Sequence, residues 1–134
     1  MAAAKPIELV VITPERKVLE TAADEVVIPM HDGELGVLSG RAPLLCELGI
    51  GQCRYTHGGQ TWRMFIDGGF AQVLDNHVTV LTTQAVPAEN INAEMIATAE
   101  RAVEEHRGVE PDTWLAYERA QRRLSVLRRL HVGS

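Results

Sequence analysis

The sequence is short of aromatic side chains, of cysteine and of positive charge. Its 134 residues include two Trp, two Tyr, two Phe and two Cys, and the formal net charge is -5. Binding of nucleic acid needs a basic surface with aromatic side chains, so we expect no nucleic-acid partner. No apolar run approaches the roughly 20 residues that cross a bilayer, so we expect no direct membrane insertion. Residues 1–6 lack the apolar core of a signal peptide, which predicts a cytosolic protein.

Motifs for catalysis are also missing. Serine occurs only at positions 39, 125 and 134, and none of the three lies in a G-x-S-x-G sequence. The five histidines are scattered and lack H-x-x-x-H spacing, and no dinucleotide fingerprint or P-loop is present. We therefore expect no catalytic residue, no metal and no cofactor. A metal site that only the fold assembles remains an alternative.

The two cysteines, Cys46 and Cys53, are separated by six residues. In a cytosolic protein this pattern predicts two reduced thiols packed in the fold. A redox pair is the alternative, but the spacing is not C-x-x-C.

The first two thirds of the chain consists of short β-type runs separated by turn signals. The turn signals are Asp32-Gly33, His57-Gly58-Gly59, Gly68-Gly69 and Asp75-Asn76. Strands that recur every 8–12 residues or so, with no helical period between them, are typical of an antiparallel β-sandwich or flattened barrel. We assign residues 1–86 to this domain.

A helical period replaces the strand pattern after Pro87. A helix from Asn92 to His106 would place apolar residues on one face, with Asn90 or Asn92 as its N-cap. That face consists of Met95, Ile96, Ala99, Ala102, Val103 and His106. Gly108 is expected to end this helix, and Pro111 suits the first turn of the next one.

The second predicted helix has a matching apolar stripe. It consists of Thr113, Tyr117, Ala120, Leu124 and Leu127. Two such helices with a short connection predict an antiparallel hairpin over residues 87–134, so the chain is assigned to the α+β class. Because two helices alone bury too little apolar surface to offset the entropy of ordering them, we expect the hairpin to rest on another surface.

A second stripe on the last helix is basic. It consists of Leu115, Arg119, Arg122, Val126 and Arg129, with Arg123 beside it. Helical spacing puts this stripe roughly opposite the apolar stripe. One interpretation is a solvated arginine face paired with glutamates of the first helix. The other is a binding face for an acidic partner, because guanidinium groups make bidentate contacts with carboxylates.

Several motifs occur in a fixed order along the chain. They are Gly33-Glu34-Leu35-Gly36-Val37-Leu38, Gly40-Arg41-Ala42-Pro43-Leu44-Leu45, Asp67-Gly68-Gly69-Phe70 and Val78-Thr79-Val80-Leu81-Thr82. Together with the helical pair, this order resembles the epsilon subunit of bacterial and chloroplast F-type ATP synthases over nearly the whole chain.

The resemblance implies a non-catalytic rotor subunit of the central stalk. The β-sandwich would lie between the gamma subunit and the c-ring, and would couple their rotation during ion-driven ATP synthesis. The C-terminal helices would inhibit ATP hydrolysis by reaching into the alpha/beta catalytic head. The location would be peripheral, on the cytoplasmic side of the bacterial plasma membrane or the stromal side of a plastid thylakoid. The alternative is a small β-barrel that binds nucleic acid or metal and has a helical appendage.

The resemblance also implies contact residues. It assigns the c-ring contact to Asp32, Gly33 and Glu34, although the residues alone favour a solvated turn acid at Glu34. It assigns the gamma contact to Thr13, Arg41, Ala42, Pro43 and Cys46. It assigns the inhibitory face to Leu115, Arg119, Arg122, Arg123, Val126 and Arg129. The family usually has His at the position of Arg41 and Pro at that of Ser39, which preserves the backbone plan but changes the local gamma contact.

Many bacterial members of that family bind ATP through an Ile/Leu-Asp-x-x-Arg-Ala motif. Here Asn92 replaces the aspartate, Met95 the arginine and Ile96 the alanine. Loss of the arginine removes a cation that pairs with phosphate, so we expect no ATP binding at physiological levels.

Overall fold

Eight β-strands precede the helices in the computed structural model, which describes residues 5–107 and 114–133. The strands are β1 (Ile7–Ile12), β2 (Lys17–Ala23), β3 (Glu25–Met30), β4 (Gly33–Leu38), β5 (Leu44–His57), β6 (Gln60–Leu74), β7 (His77–Leu81) and β8 (Ala85–Pro87). A 3-10 turn (Ala88–Asn90), α1 (Ala93–His106) and α2 (Trp114–Gly133) follow. The predictions made for residues 1–4, Gly108, Pro111 and Thr113 lie outside the described residues.

The strands pair in the order β2-β1-β7-β6-β5-β3-β4, and β8 also pairs with β6. All pairs are antiparallel except β1 with β7, which is parallel. β5 and β6 have 14 and 15 residues, longer than the predicted spacing, because each serves both layers. The carboxyl end of β6 pairs with β7, and its amino half pairs with β8. The predicted sandwich is confirmed, while the division of the chain at residue 86 stays a prediction.

The Gly68-Gly69 sequence is not a chain-reversing turn, contrary to the prediction. Both residues lie inside β6 with φ values of +70° and +108°, where the strand bends from one layer to the other. A Cβ on Gly69 would overlap the carbonyl oxygen of Leu81 on the neighbouring strand. Glycine is therefore required here both by the backbone conformation and by the close approach of β7.

A large apolar cluster fills the space between the two layers of the sandwich. Its buried members come from every strand from β1 to β7, and in β1 and β7 they alternate with residues that point outward. They include Ile7, Leu9, Val11, Val26, Ile28, Val37, Leu48, Cys53, Met64, Ile66, Val73, Val78 and Val80.

A second apolar cluster joins the sandwich to the helices. Its buried members are Phe65, Val86, Ile91, Val126, Leu127 and Leu130. Met95, Ile96 and Ala99 of α1 pack against it, and Val103 is buried, as the predicted helix face requires. Of the two proposed N-caps, Asn92 is confirmed, because its Oδ1 accepts a hydrogen bond from the Met95 amide at 2.9 Å. The helices thus rest on the outer face of the sheet built around β5, β6 and β8.

Candidate functional site

The β3–β4 turn presents the residues expected at the c-ring. Asp32 and Gly33 are exposed at the turn. Glu34 is not a free turn acid, because its Oε2 accepts a hydrogen bond from Arg54 Nη1 of β5 at 2.8 Å. Beside the turn, His31 Nε2 lies 2.9 Å from Glu47 Oε1. Contacts to β5 therefore orient this turn, which exposes the carboxylates of both Asp32 and Glu34.

The loop between β4 and β5 is fixed against the turn between β6 and β7. The Gly40 amide donates to Asn76 Oδ1 at 2.8 Å, and Asn76 Nδ2 donates to Ser39 Oγ at 3.2 Å. Asn76 has φ of +63°, a conformation that asparagine tolerates better than most residues. The hydroxyl oxygen of Ser39 thus accepts a hydrogen bond from Asn76, which a proline side chain at this position could not do. Arg41, Ala42 and Pro43 follow in the same loop and are exposed.

The proposed gamma-contact residues do not form one cluster. The Arg41 loop lies where β7 begins, whereas Thr13 follows β1, next to Thr82 at the other end of β7. Five residues of strand separate the two ends, about 17 Å at 3.3 Å per residue. Thr13 is buried and Cys46 is half-buried. Exposed contacts from this set therefore come chiefly from the Arg41 loop.

An exposed apolar face lies between those two ends, and the sequence interpretation missed it. Leu45, Phe70 and Leu81 are 72%, 53% and 50% exposed, and Leu74 is also exposed. Phe70 of β6 pairs with Leu81 of β7 and with Glu47 of β5, and Leu45 lies two residues before Glu47 on the same strand face. Leu45, Glu47, Phe70 and Leu81 therefore share the outer surface of one layer. A patch of large apolar side chains on a sheet face is typical of a protein interface. The sequence signal for this face was an apolar run at the start of β5, in which polar and apolar residues do not alternate.

Part of the basic stripe of α2 contacts the sandwich. Val126 is 5% exposed within the second apolar cluster. Arg122 Nε donates to the Ile50 carbonyl at 3.0 Å, and Arg123 Nε donates to Asp67 Oδ1 at 2.9 Å. Because α2 packs on both α1 and the sandwich, its buried arc is wider than the apolar stripe alone. Ala120, Leu127 and Leu130 are also buried.

The rest of the stripe lines an open cleft between α2 and the β3–β5 surface. Leu115, Arg119 and Arg129 are exposed there and face the side that carries Glu34 and Arg54. The pairing of arginines with glutamates of the first helix holds for Arg128, whose Nη2 lies 2.8 Å from Glu100 Oε2. That residue is outside the stripe. Of the six residues assigned to inhibition, Val126 is buried and Arg122 and Arg123 are hydrogen-bonded to the sandwich. Leu115, Arg119 and Arg129 are exposed.

The run that replaces the ATP motif has structural roles. Asn92 caps α1, and Met95 packs against the second apolar cluster. Neither side chain carries a positive charge for phosphate. The absence of ATP binding remains a prediction.

Neither cysteine is suited to thiolate chemistry. Both thiols are free, and burial raises the pKa of Cys53 to about 12. Burial also raises the pKa of Cys46, although a backbone hydrogen bond from Ala71 and the charge of Arg41 act against it. Both thiols therefore stay protonated at neutral pH. Within residues 5–107 and 114–133, no group of three His, Cys, Asp or Glu side chains is placed to hold a metal ion.

The family of the chain follows from comparison with known proteins. Residues 6–88 match the family model described as "ATP synthase, Delta/Epsilon chain, beta-sandwich domain". The chain belongs to the ATP synthase delta/epsilon family. It is 37% identical to the chloroplastic ATP synthase epsilon chain of Chlamydomonas reinhardtii, with 91% of this chain and 95% of that one covered. It is 52% identical to the epsilon chain of Rhodopirellula baltica over 83 residues, which are 62% of this chain and 65% of that one.

Solved structures agree with this assignment. The chain matches one from the Euglena gracilis mitochondrial ATP synthase (OSCP/F1/c-ring) with a TM-score of 0.77 and 28% identity, covering 92% of this chain and 79% of that one. A chain from the Tetrahymena thermophila mitochondrial ATP synthase (central stalk/c-ring) has a TM-score of 0.67 at 12% identity and supports the fold alone. These relationships confirm the interpretation as a non-catalytic subunit and favour it over the binding module. In the described part of the chain no helix has the length and apolar character to span a bilayer.

Proposed function

We propose that this chain is the rotor subunit that joins the gamma subunit to the c-ring in a rotary ATP synthase. The observation that carries the proposal is the exposed apolar face of Leu45, Phe70 and Leu81 on a sandwich of the epsilon family. Water-exposed side chains of this size are stabilised when a partner covers them. Gamma covers this face, and the neighbouring Arg41, with Ala42 and Pro43, extends the contact. Thr13 and Cys46, the remaining members of the set, support the same face from within the fold.

The c-ring contact is assigned to the β3–β4 turn. Asp32 and Gly33 are exposed there, and the Arg54 contact holds Glu34 in a fixed position. A turn in contact with β5 would pass a tangential force from the ring to the sandwich. Its exposed acidic charge would meet polar or basic loops of the ring. The chain would therefore be peripheral to the membrane, on the cytoplasmic or stromal side.

The third part of the proposal concerns regulation. In the docked arrangement α2 turns Arg122, Arg123 and Val126 towards the sandwich. An extended α2 would free these three groups to act with Leu115, Arg119 and Arg129, which are already exposed, on an acidic segment of the alpha/beta head. Docking therefore occupies three of the six residues that inhibition needs, so the two arrangements exclude each other. An energy difference of only a few kcal/mol between the two arrangements suffices for regulation.

Co-purification tests the apolar-face assignment. A tagged full-length chain is expected to bring down gamma and the alpha/beta head from its host. The double variant Leu45→Glu/Phe70→Glu is expected to lose gamma, because an unpaired charge buried in an interface costs about 3 kcal/mol or more. Leu115→Glu is the control, since it puts one such charge on an exposed leucine of α2. Retention of gamma by the folded double variant would contradict the assignment.

Deletion of residues 87–134 tests the inhibitory part separately. The reconstituted enzyme with the shortened chain is expected to hydrolyse ATP faster than the enzyme with the full chain. Unchanged hydrolysis, with gamma still bound, would remove the inhibitory claim and leave the stalk assignment intact.

A further inference from the structure

Two consecutive arginines of α2 attach the helix to one step of the β5–β6 ladder. Arg122 donates to the Ile50 carbonyl at 3.0 Å, and Arg123 donates to the Asp67 carboxylate at 2.9 Å. Ile50 and Asp67 are opposite each other in the strand pairing, next to the point where both strands change layers. These two contacts therefore attach α2 to the sandwich at one step of the ladder.

The backbone around Asp67 fixes the position of its carboxylate. The Asp67 amide donates to the Gln84 carbonyl at 3.1 Å and lies 3.2 Å from Thr82 Oγ1. Thr83 Oγ1 donates to the Asp67 carbonyl at 3.2 Å. These contacts and the Gly68-Gly69 bend hold the residue on both sides. An acceptor that is already in place loses little conformational entropy when it binds a guanidinium.

The Asp67–Arg123 ion pair is more sheltered than the other ion pairs of the described residues. Its side chains are 14% and 37% exposed, compared with 51% and 54% for the Glu100–Arg128 pair between the helices. Exposed pairs contribute little, because water and salt screen them. A sheltered carboxylate that loses its cation is left partly desolvated and unpaired, which destabilises the docked arrangement. The Asp67–Arg123 pair links α2 to the sandwich, and the Glu100–Arg128 pair links it to α1. Substitutions at the two pairs can therefore be compared on the same helix.

We propose that Asp67 is an internal competitor for the inhibitory face of α2. Its carboxylate binds Arg123 in the docked helix and so takes the place of an acidic group on the catalytic head. This inference rests on the regulatory part of the proposed function. It adds a named residue of the sandwich, outside the inhibitory helix, that sets how often the helix is released.

The competition predicts different results for the two partners of the pair. Asp67→Asn removes the internal acceptor and leaves a charged Arg123 free for the head, so docking weakens and inhibition increases. Arg123→Gln removes the group that both acceptors need, so docking weakens but inhibition does not increase. A merely structural pair would give the same result for both variants.

Hydrogen exchange of the full-length chain tests the docking step. Amides of α2 are expected to exchange roughly 5- to 30-fold faster in Asp67→Asn and in Arg123→Gln, between the effects known for exposed and for buried pairs. Glu100→Gln, the control at the exposed pair, is expected to change exchange about 3-fold or less. Exchange in α2 no faster than in the control would overturn the proposal. Circular dichroism establishes that each variant is folded, and Arg123→Gln lies outside the sandwich.

ATP hydrolysis by the reconstituted enzyme tests the competition step. Asp67→Asn is expected to lower hydrolysis about twofold or more relative to the wild-type chain, and Arg123→Gln is expected not to lower it. Equal hydrolysis for the two variants, in an enzyme whose activity rises on deletion of residues 87–134, would overturn the competition. If the deletion itself leaves hydrolysis unchanged, the inhibitory function fails, and the exchange result alone judges the docking contact.

Discussion

Replacement of Leu130 by alanine isolates the docking of α2 from the stability of the sandwich. Leu130 is 4% exposed in the second apolar cluster, beside Phe65 and Val126. The substitution removes three carbon groups from a buried site, about 0.8 kcal/mol each, for a total of about 2.5 kcal/mol before any cavity term. At 25 °C that free energy corresponds to a roughly 70-fold change in the docking equilibrium.

Hydrogen exchange of the full-length chain measures this effect directly. Peptides from α2 are expected to exchange roughly 70-fold faster in Leu130→Ala, while peptides from β6 keep their protection. Leu115→Ala is the matched control, because it makes the same chemical change at a leucine of α2 that is 55% exposed. Equal acceleration of α2 and β6 would contradict this prediction, because it would mean that helix and sandwich open as one unit. An effect no larger than that of the control would refute the burial argument.

Three further predictions concern the sandwich and nucleotide binding. Gly69→Ala is expected to lower the free energy of unfolding by about 3 kcal/mol or more. Gly58→Ala, where a Cβ has no atom within contact distance, is expected to lower it by about 1 kcal/mol. Urea titration measures both changes. Burial raises the pKa of Cys53 from 9.0 to about 12. The stability that the buried neutral thiol contributes is therefore present below pH 9, and it is lost at about 1.4 kcal/mol per pH unit as the pH rises towards 12. The unfolding midpoint of Cys53→Ala should therefore depend less on pH above 9 than that of the wild type, and equal slopes would contradict this. Calorimetric titration with ATP is expected to show no micromolar binding, because Met95 stands where the motif needs a cation.

The secondary structure followed closely from local signals. Asn92 and the apolar residues around Val103 specify α1, because a capping side chain and a 3.6-residue period act within a few turns of chain. The Asp75-Asn76 turn was equally readable, since both residues tolerate positive φ. The bend at Gly68-Gly69 was misread because glycine marks a positive φ without saying whether the chain reverses or continues.

The interaction surfaces were only partly predictable. Leu45 and Phe70 are apolar residues on strands, and the sequence alone does not say which of two alternating faces another layer covers. For α2, the period gave the stripe of Arg119, Arg122 and Val126 correctly as a set. It did not give the direction of the stripe, because that depends on how the hairpin lies on the sandwich. The partner of Arg123, Asp67, lies 56 residues away in sequence and could be found only from the fold.

A covalent link to gamma tests whether this chain turns together with that subunit. A photo-reactive amino acid in place of Leu45, on the exposed apolar face, can be cross-linked within the assembled enzyme by illumination. The account predicts a cross-link to gamma, with ATP hydrolysis at the same rate before and after illumination, because two parts of one rotor do not move relative to each other. A cross-link to the alpha/beta head at that position, or loss of hydrolysis when the link to gamma forms, would contradict it.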